Sequence, residues 1–275
     1  MTNEEINAKR HSLTHNQLKN VLIRIDYTGI TNIDNWVEAF KPKMTGYFSA
    51  YNRGVQNNAR VNLTNLKEIA DTLSIPIEEI RKETIHEFSG WKLDENTVTM
   101  SISPFFMTIN IRCNNYKVID PFLDVTSLFL QEMYEREAYF DVHRVGIRKV
   151  DGGTFYSIDD IFMVYKKELF FGQEVDAVNS VPLNREYTYR YCLKDSSMKV
   201  NYSRQYRLLD ILNVGKKHQV LLDIDTYIDK YNMNECHYDL KESCKAVLEK
   251  INNHQFELFA ESVNEDYINQ NKHDE

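Results

Sequence analysis

No stretch of the 275-residue chain approaches the roughly 18 consecutive apolar residues of a membrane-spanning helix. The start, Met1-Thr2-Asn3-Glu4-Glu5, is acidic and polar and lacks the apolar core of a secretion signal. A cytoplasmic protein with no membrane partner is therefore expected. Cysteine is scarce: Cys113, Cys192, Cys236 and Cys244 stand far apart or at a spacing that fits no zinc pattern, and too thinly for a disulfide framework. They read as reduced thiols. Basic charge is also short, with 33 Lys and Arg against 41 Asp and Glu and a formal net charge of -8. Coating a duplex needs clustered Lys and Arg to neutralise phosphates, so nucleic acid is not the expected partner. Catalytic signatures are missing too: there is no G-x-S-x-G, no P-loop and no G-x-G-x-x-G. His86, His143, His218, His237 and His254 never fall at ligand spacing on a helix; only His11 and His15 are four apart, in a polar segment. No catalytic residue, metal or cofactor is assigned. No internal repeat or low-complexity run is present.

What is there is globular: 42% hydrophobic residues with 12% aromatics can bury a sizeable core. Val21–Tyr27 alternates as a strand, and Ile33–Lys41 reads as a helix with Asp34 as N-cap, fraying towards Pro42 or resuming through Tyr47 and Tyr51. Trp91–Ile102 and Phe106–Cys113 read as strands, and Asp120–Tyr134 as a long helix with Pro121 in its first turn. Phe140–Asp151 is strand-like, and Asp151-Gly152-Gly153 is a turn signal. Further on, the pattern gives a helix Ile158–Phe170 capped by Ser157, a loop Gly172–Pro182, and strands Arg185–Leu193 and Lys199–Leu208 as a hairpin. A loop Val214–His218, a strand Gln219–Tyr227 and helices Tyr238–Ile251 and Asn253–Ile268 complete it. The expectation is an α+β fold, with mostly antiparallel sheet and helices packed on one face, in two related halves. The divisions are a flexible arm over 1–17, a first half over 18–151 with a helical insertion near 62–84, a second half over 152–268, and a disordered tail over 269–275. Asn65–Ile80 resembles the closing helices of a helix-turn-helix, but Asn52–Arg60 upstream has no apolar periodicity for a further helix. A DNA-binding regulator acting through 65–80 is thus a minor alternative.

Three constellations carry candidate chemistry. Arg144 and Arg148 share one face of their strand because side chains recur with period two, and His143 lies beside them. Two such arginines can clasp a phosphate or carboxylate, or pair with acids on neighbouring strands. Asp223 and Asp225 likewise share a face, and could hold Mg²⁺ with further ligands or bridge to the same arginines. Tyr187, Tyr189 and Tyr191 form a ladder that could stack on bases or pack across strands, with Tyr189 at its centre. Arg144, Arg148, His143, Asp223, Asp225 and Tyr189 are the candidate ligand-binding residues.

Arg144-Val-Gly-Ile-Arg-Lys-Val-Asp151 and the later Leu222-Asp-Ile-Asp225 resemble a sporadically distributed bacterial family of unknown function. Its members carry an R-x-G-[LI]-R-[YK]-[IV]-[ND] strand followed by an L-D-I-D strand. The resemblance runs from Leu18 to Tyr267; Ile147 and Lys149 stand where many members have leucine and tyrosine, and Leu66–Ile80 has no counterpart. It carries over no catalytic residue and implies an association with mobile, phage-defence, antidefence or toxin-linked genes. The expected role is a non-catalytic binding protein with a protein partner. The alternative is an enzyme or sensor for a nucleotide or other small anionic, phosphorylated ligand.

Overall fold

Strand β1 (Leu18–Tyr27) buries Val21, Ile23, Ile25 and Tyr27 and leaves Leu22, Arg24 and Asp26 on its other side. That alternation is what a pleated strand with one covered face requires. The computed structural model describes residues 17–30, 32–57, 82–114, 116–137, 139–171, 183–194, 198–212, 214–229 and 240–270. Outside them lie most of the expected arm, the 65–80 segment and the 172–182 loop. So do Cys236, His237 and residues 271–275 of the expected tail.

The elements after β1 are α1 (Ile33–Met44), β2 (Phe48–Asn57), β3 (Lys82–Trp91), β4 (Thr97–Ile102), β5 (Phe106–Arg112) and α2 (Asp120–Arg136). Then follow β6 (Val142–Phe155), α3 (Ile158–Val164), α4 (Lys167–Phe171), β7 (Asn184–Cys192), β8 (Lys199–Ile211), β9 (Gly215–Asp229), α5 (Leu240–Ser262) and α6 (Glu265–Gln270). The nine described strands join one sheet in the order β2-β3-β4-β5-β1-β6-β9-β8-β7, every pair antiparallel. The α+β expectation holds, with helices on one face.

The registers align one face across the sheet. Ile111, Ile23, Ile147 and Thr226 belong to the covered side, with Val98 and Met100 on β4 and Val200 on β8. Helices α1 and α2 supply Trp36, Phe40 and Phe129, whose rings meet at 4.8–6.1 Å and reach Phe88 on β3. Each such ring removed from water contributes about 1.5–3 kcal/mol. Helix α5 lies over β6 and β9 and is pinned there by polar contacts. Gln255 Nε2 donates to the carbonyls of Ile147 (2.6 Å) and Ile224 (3.0 Å), and Lys149 donates to Asn252. Beneath β8 and β9, α3, α4 and the Tyr165 between them pack Ile161, Tyr165, Phe170 and Phe171 against Tyr206 and Val220.

Several expectations are corrected. Pro42 lies inside α1 and does not end it, Tyr47 and Tyr51 are not helical, and Tyr51 stands in β2. Asp34 is not the N-cap: that position is Asn32, and Asp34 instead meets Arg53 Nη2 at 2.6 Å. Residues 82–84, placed in a helical insertion, begin β3, and the strand expected over Trp91–Ile102 is the end of β3, a turn and β4. Asp151-Gly152-Gly153 is not a turn: β6 runs through it to Phe155, paired with β9. A Cβ on Gly152 would lie 2.2 Å from the Val220 carbonyl oxygen, so this glycine marks close approach of β9. One sheet therefore crosses the 151/152 division. The helix from Ser157 breaks into α3 and α4, although Ser157 does cap it in a reciprocal capping box with Asp160. Residues 215–218 are strand, and the two C-terminal helices are one, α5, through Asn252 and Asn253, followed by α6, which includes residues 269 and 270 of the expected tail.

Asp151 points into the covered side and accepts a hydrogen bond from Tyr165 Oη at 2.5 Å. Burial pushes its carboxyl up to about 7, against an ordinary 3.8, although the Tyr165 hydrogen bond pulls the other way. With the folded value above the unfolded one, the folded chain holds a proton that the unfolded chain has released. Its stabilising effect is complete below the unfolded value and is lost as pH rises through the folded one. Wild-type stability from urea unfolding should therefore lose roughly 1.4 kcal/mol per pH unit from this group between about pH 4 and about pH 7. Asp151→Asn, which keeps an acceptor for Tyr165, should flatten that fall; an unchanged slope would show that Asp151 is ionised throughout.

Candidate functional site

The other face of the sheet has no described helix over it, and period two brings the candidate charges onto it. The registers align Asp26, Arg144 and Asp229 in one row, Arg24, Gly146, Tyr227 and Lys199 in the next, and Leu22, Arg148, Asp225 and Asn201 in the third. Asp223 follows, opposite Val150 and Ser203.

Within this array the arginines are paired along the strands. Arg148 Nε and Nη2 donate to Asp223 Oδ1 (2.8 Å) and Oδ2 (2.5 Å), a two-pronged fit of planar guanidinium to carboxylate. Asp223 is the main cause that holds the Arg148 guanidinium above its ordinary pKa. Arg144 lies over the Tyr227 ring, 4.1 Å from its centroid, and reaches past it to Asp225 Oδ2 at 3.4 Å; on its other side Asp26 Oδ2 is 3.8 Å away. Asn201 donates to Asp225 at 3.1 Å, Arg24 donates to Asp26 at 2.7 Å, and Lys199 stands 3.8 Å from Asp229. Arg144 is 28% exposed and Arg148 50%, so these pairs are wetted and each is worth at most about 1 kcal/mol.

Gly146 makes the arrangement possible. A Cβ there would come within 2.7 Å of Tyr227 Cβ and 3.1 Å of the Thr226 carbonyl oxygen. The missing side chain leaves Tyr227 its place beside β6, and its ring supports Arg144 with a cation–π contact. The motif R-x-G-x-R thus reads as two arginines flanking a seat for an aromatic ring from the next strand.

Two candidates lie elsewhere. Tyr189 belongs to the covered side, since it pairs with Tyr202, which pairs with Ile224. The Arg204 guanidinium lies 5.1–5.6 Å from the ring centroids of Tyr187, Tyr189 and Tyr202, and donates to Tyr189 Oη at 3.0 Å. The tyrosine ladder is thus engaged across strands. His143 sits at the end of β6, where the β1 register shifts, with Nε2 3.2 Å from Thr28 Oγ1. Asp26, Arg24, Tyr227, Asn201 and Lys199 complete the array without any local motif that marks them. Their signal was the strand phase, which becomes readable only once β1, β6, β9 and β8 are known to be neighbours.

Two other histidines are held by tyrosine hydroxyls. His86, 1% exposed, has Nδ1 2.7 Å from Tyr51 Oη and Nε2 2.9 Å from Asp34, off hydrogen-bond angle; burial lowers its pKa. His218 has Nδ1 2.8 Å from Tyr206 Oη, and burial lowers its pKa too. Among the described residues no group of three or more His, Cys, Asp or Glu is placed to hold a metal ion.

Replacing glycine in a strand with alanine ordinarily stabilises. Gly146→Ala should do the reverse, lowering the urea midpoint by the equivalent of about 1–3 kcal/mol through the clash with Tyr227 and Thr226. A neutral or stabilising result would remove the packing role given to this glycine. No protein-family model and no curated protein matches the chain.

Proposed function

We propose that the protein is a non-catalytic binding component that presents the open face of its sheet to a protein partner. One observation carries this reading: at the centre of that face, across β1, β6, β9 and β8, the charges balance one another. Arg24, Arg144, Arg148 and Lys199 stand against Asp26, Asp225, Asp223 and Asp229, each cation within 4 Å of a carboxylate. A phosphate brought to Arg148 would have to displace Asp223 from both of its donors, and would meet carboxylates beside it. An alternating pattern of both signs suits recognition of another patterned surface, where charge placement selects the partner and its register. The face is polar and wetted, as the rim of a reversible interface is.

The resemblance to the sporadically distributed bacterial family belongs with this reading, and so does the mobile-gene or defence setting it implies. Cys113, Cys192 and Cys244 as free thiols support action in a reducing compartment such as the cytoplasm.

The test is affinity purification from the native host with mass spectrometry of both retained proteins and small molecules released on denaturation. A protein retained at stoichiometric level by the wild type and lost with Arg148→Glu, while the variant keeps its thermal midpoint within a few degrees, is the expected result. Release of a phosphorylated small molecule with no retained protein would instead favour the ligand-sensor reading. Absence of both would end the proposal.

A further inference from the structure

Strand β7 closes one end of the sheet, and its phase on β8 can be read from its two ends. Leu208 N donates to Leu183 O at 2.9 Å, and Leu193 N donates to Met198 O at 2.8 Å. In an antiparallel pair, residues that exchange ladder bonds alternate with residues whose N–H and C=O point away. The odd-numbered residues of β7 therefore bond to β8. Asn184, Glu186, Thr188, Arg190 and Cys192 turn their backbone groups outward. These five are also exposed, as are Tyr189 and Tyr191. No proline, bulge or described element blunts this nine-residue edge, whereas natural sheets ordinarily protect an edge of such length.

The sequence of that edge, Asn-Arg-Glu-Tyr-Thr-Tyr-Arg-Tyr-Cys, complements itself when run antiparallel about Thr188. In that register Glu186 faces Arg190 of a second copy, and Arg190 faces its Glu186. Tyr187 faces Tyr189, Arg185 faces Tyr191, and Thr188 faces its own counterpart. Opposite charges, aromatic pairs, a cation–π pair and a Thr–Thr pair are the cross-strand combinations that stabilise a sheet. Thr188 also has its N–H and C=O outward, so the central pair is a bonding pair and the phase suits the two-fold axis. Arg190 makes no ion pair among the described residues, and Glu186 accepts only a 3.3 Å bond from Gln205.

We propose that two copies of the chain join through β7, antiparallel about Thr188, extending the nine-stranded sheet of each across a two-fold axis into one continuous sheet. Each outward-facing pair exchanges two bonds, about ten in all. The axis runs perpendicular to the sheet, so both helix layers lie on one side and both open faces on the other. This inference is independent of what the open face binds.

Sedimentation velocity on the full chain at low ionic strength tests it. The wild type should sediment at twice the 32.5 kDa of the chain. Glu186→Arg alone and Arg190→Glu alone place like charges opposite each other twice, and each should weaken dimerisation roughly tenfold or more. The double variant carrying both changes restores the pairs and should restore the dimer. Thr188→Pro removes an N–H that faces away from β8, so it should give a monomer with an unchanged circular-dichroism spectrum. A wild type that is monomeric throughout, or a dimer indifferent to all four variants, would overturn the proposal. So would a mass that climbs past dimer with concentration, which would mean that β7 pairs with the opposite edge, β2, of the next copy.

Discussion

The register between β6 and β9 is the constraint on which both faces depend. The fourteen-residue β6 pairs with β1 over Val142–Asp151 and with β9 over Arg144–Phe155, so this strand holds together elements far apart in the sequence. Because side chains alternate, a slip of one residue would carry Val145 and Ile147 to water and Arg144 and Arg148 into the helix layer. That slip would bury two guanidinium groups without partners, which is far more costly than the exposed pairs they now make. The glycines keep the register: Gly146 gives way to Tyr227, and Gly152 to the backbone at Val220 and Leu221. Charged and apolar patterning thus agree on one answer, and the agreement makes the sheet unique.

Where the chain was legible, local and global signals coincided. Helix α2 has Pro121 in its first turn and apolar residues at helical spacing, and the β7–β8 hairpin alternates on both arms. That Arg144 and Arg148 share one face of their strand, and Asp223 and Asp225 one face of theirs, followed from period two; that the two strands are neighbours did not. The hidden parts are those where tertiary context overrode local preference. Strand β2 contains Tyr51-Asn-Arg-Gly54, a polar run containing glycine that is held extended by its pairing with β3. Asn252-Asn253 looked like a helix break, yet α5 continues because Asn252 is buried and accepts from Lys149. Gly152-Gly153 reads as a turn signal because a turn and a close strand approach ask for the same residue.

The candidate site divides along the same line. Its members on β6 and β9 could be named from spacing, but their partners, the Asp26 carboxylate from β1 and the Asn201 amide from β8, depend on strand order. Tyr189 failed to join them because it stands in the opposite phase, a distinction invisible until β7 is paired through β8 to β9. At its centre the resulting face pairs its own charges, carboxylate against cation.

The Gln255 bridge has a kinetic side. Its amide touches the carbonyl of Ile147, 108 residues earlier, and the strands that it spans are themselves drawn from distant parts of the chain. Loop closure of that length has to precede the contacts that reward it. The part of the covered side that α5 occupies therefore stays wet until α5, which follows both strands in the chain, has docked. A chain built this way should acquire its tertiary structure slowly, with an interval in which the strands exist and their roof does not.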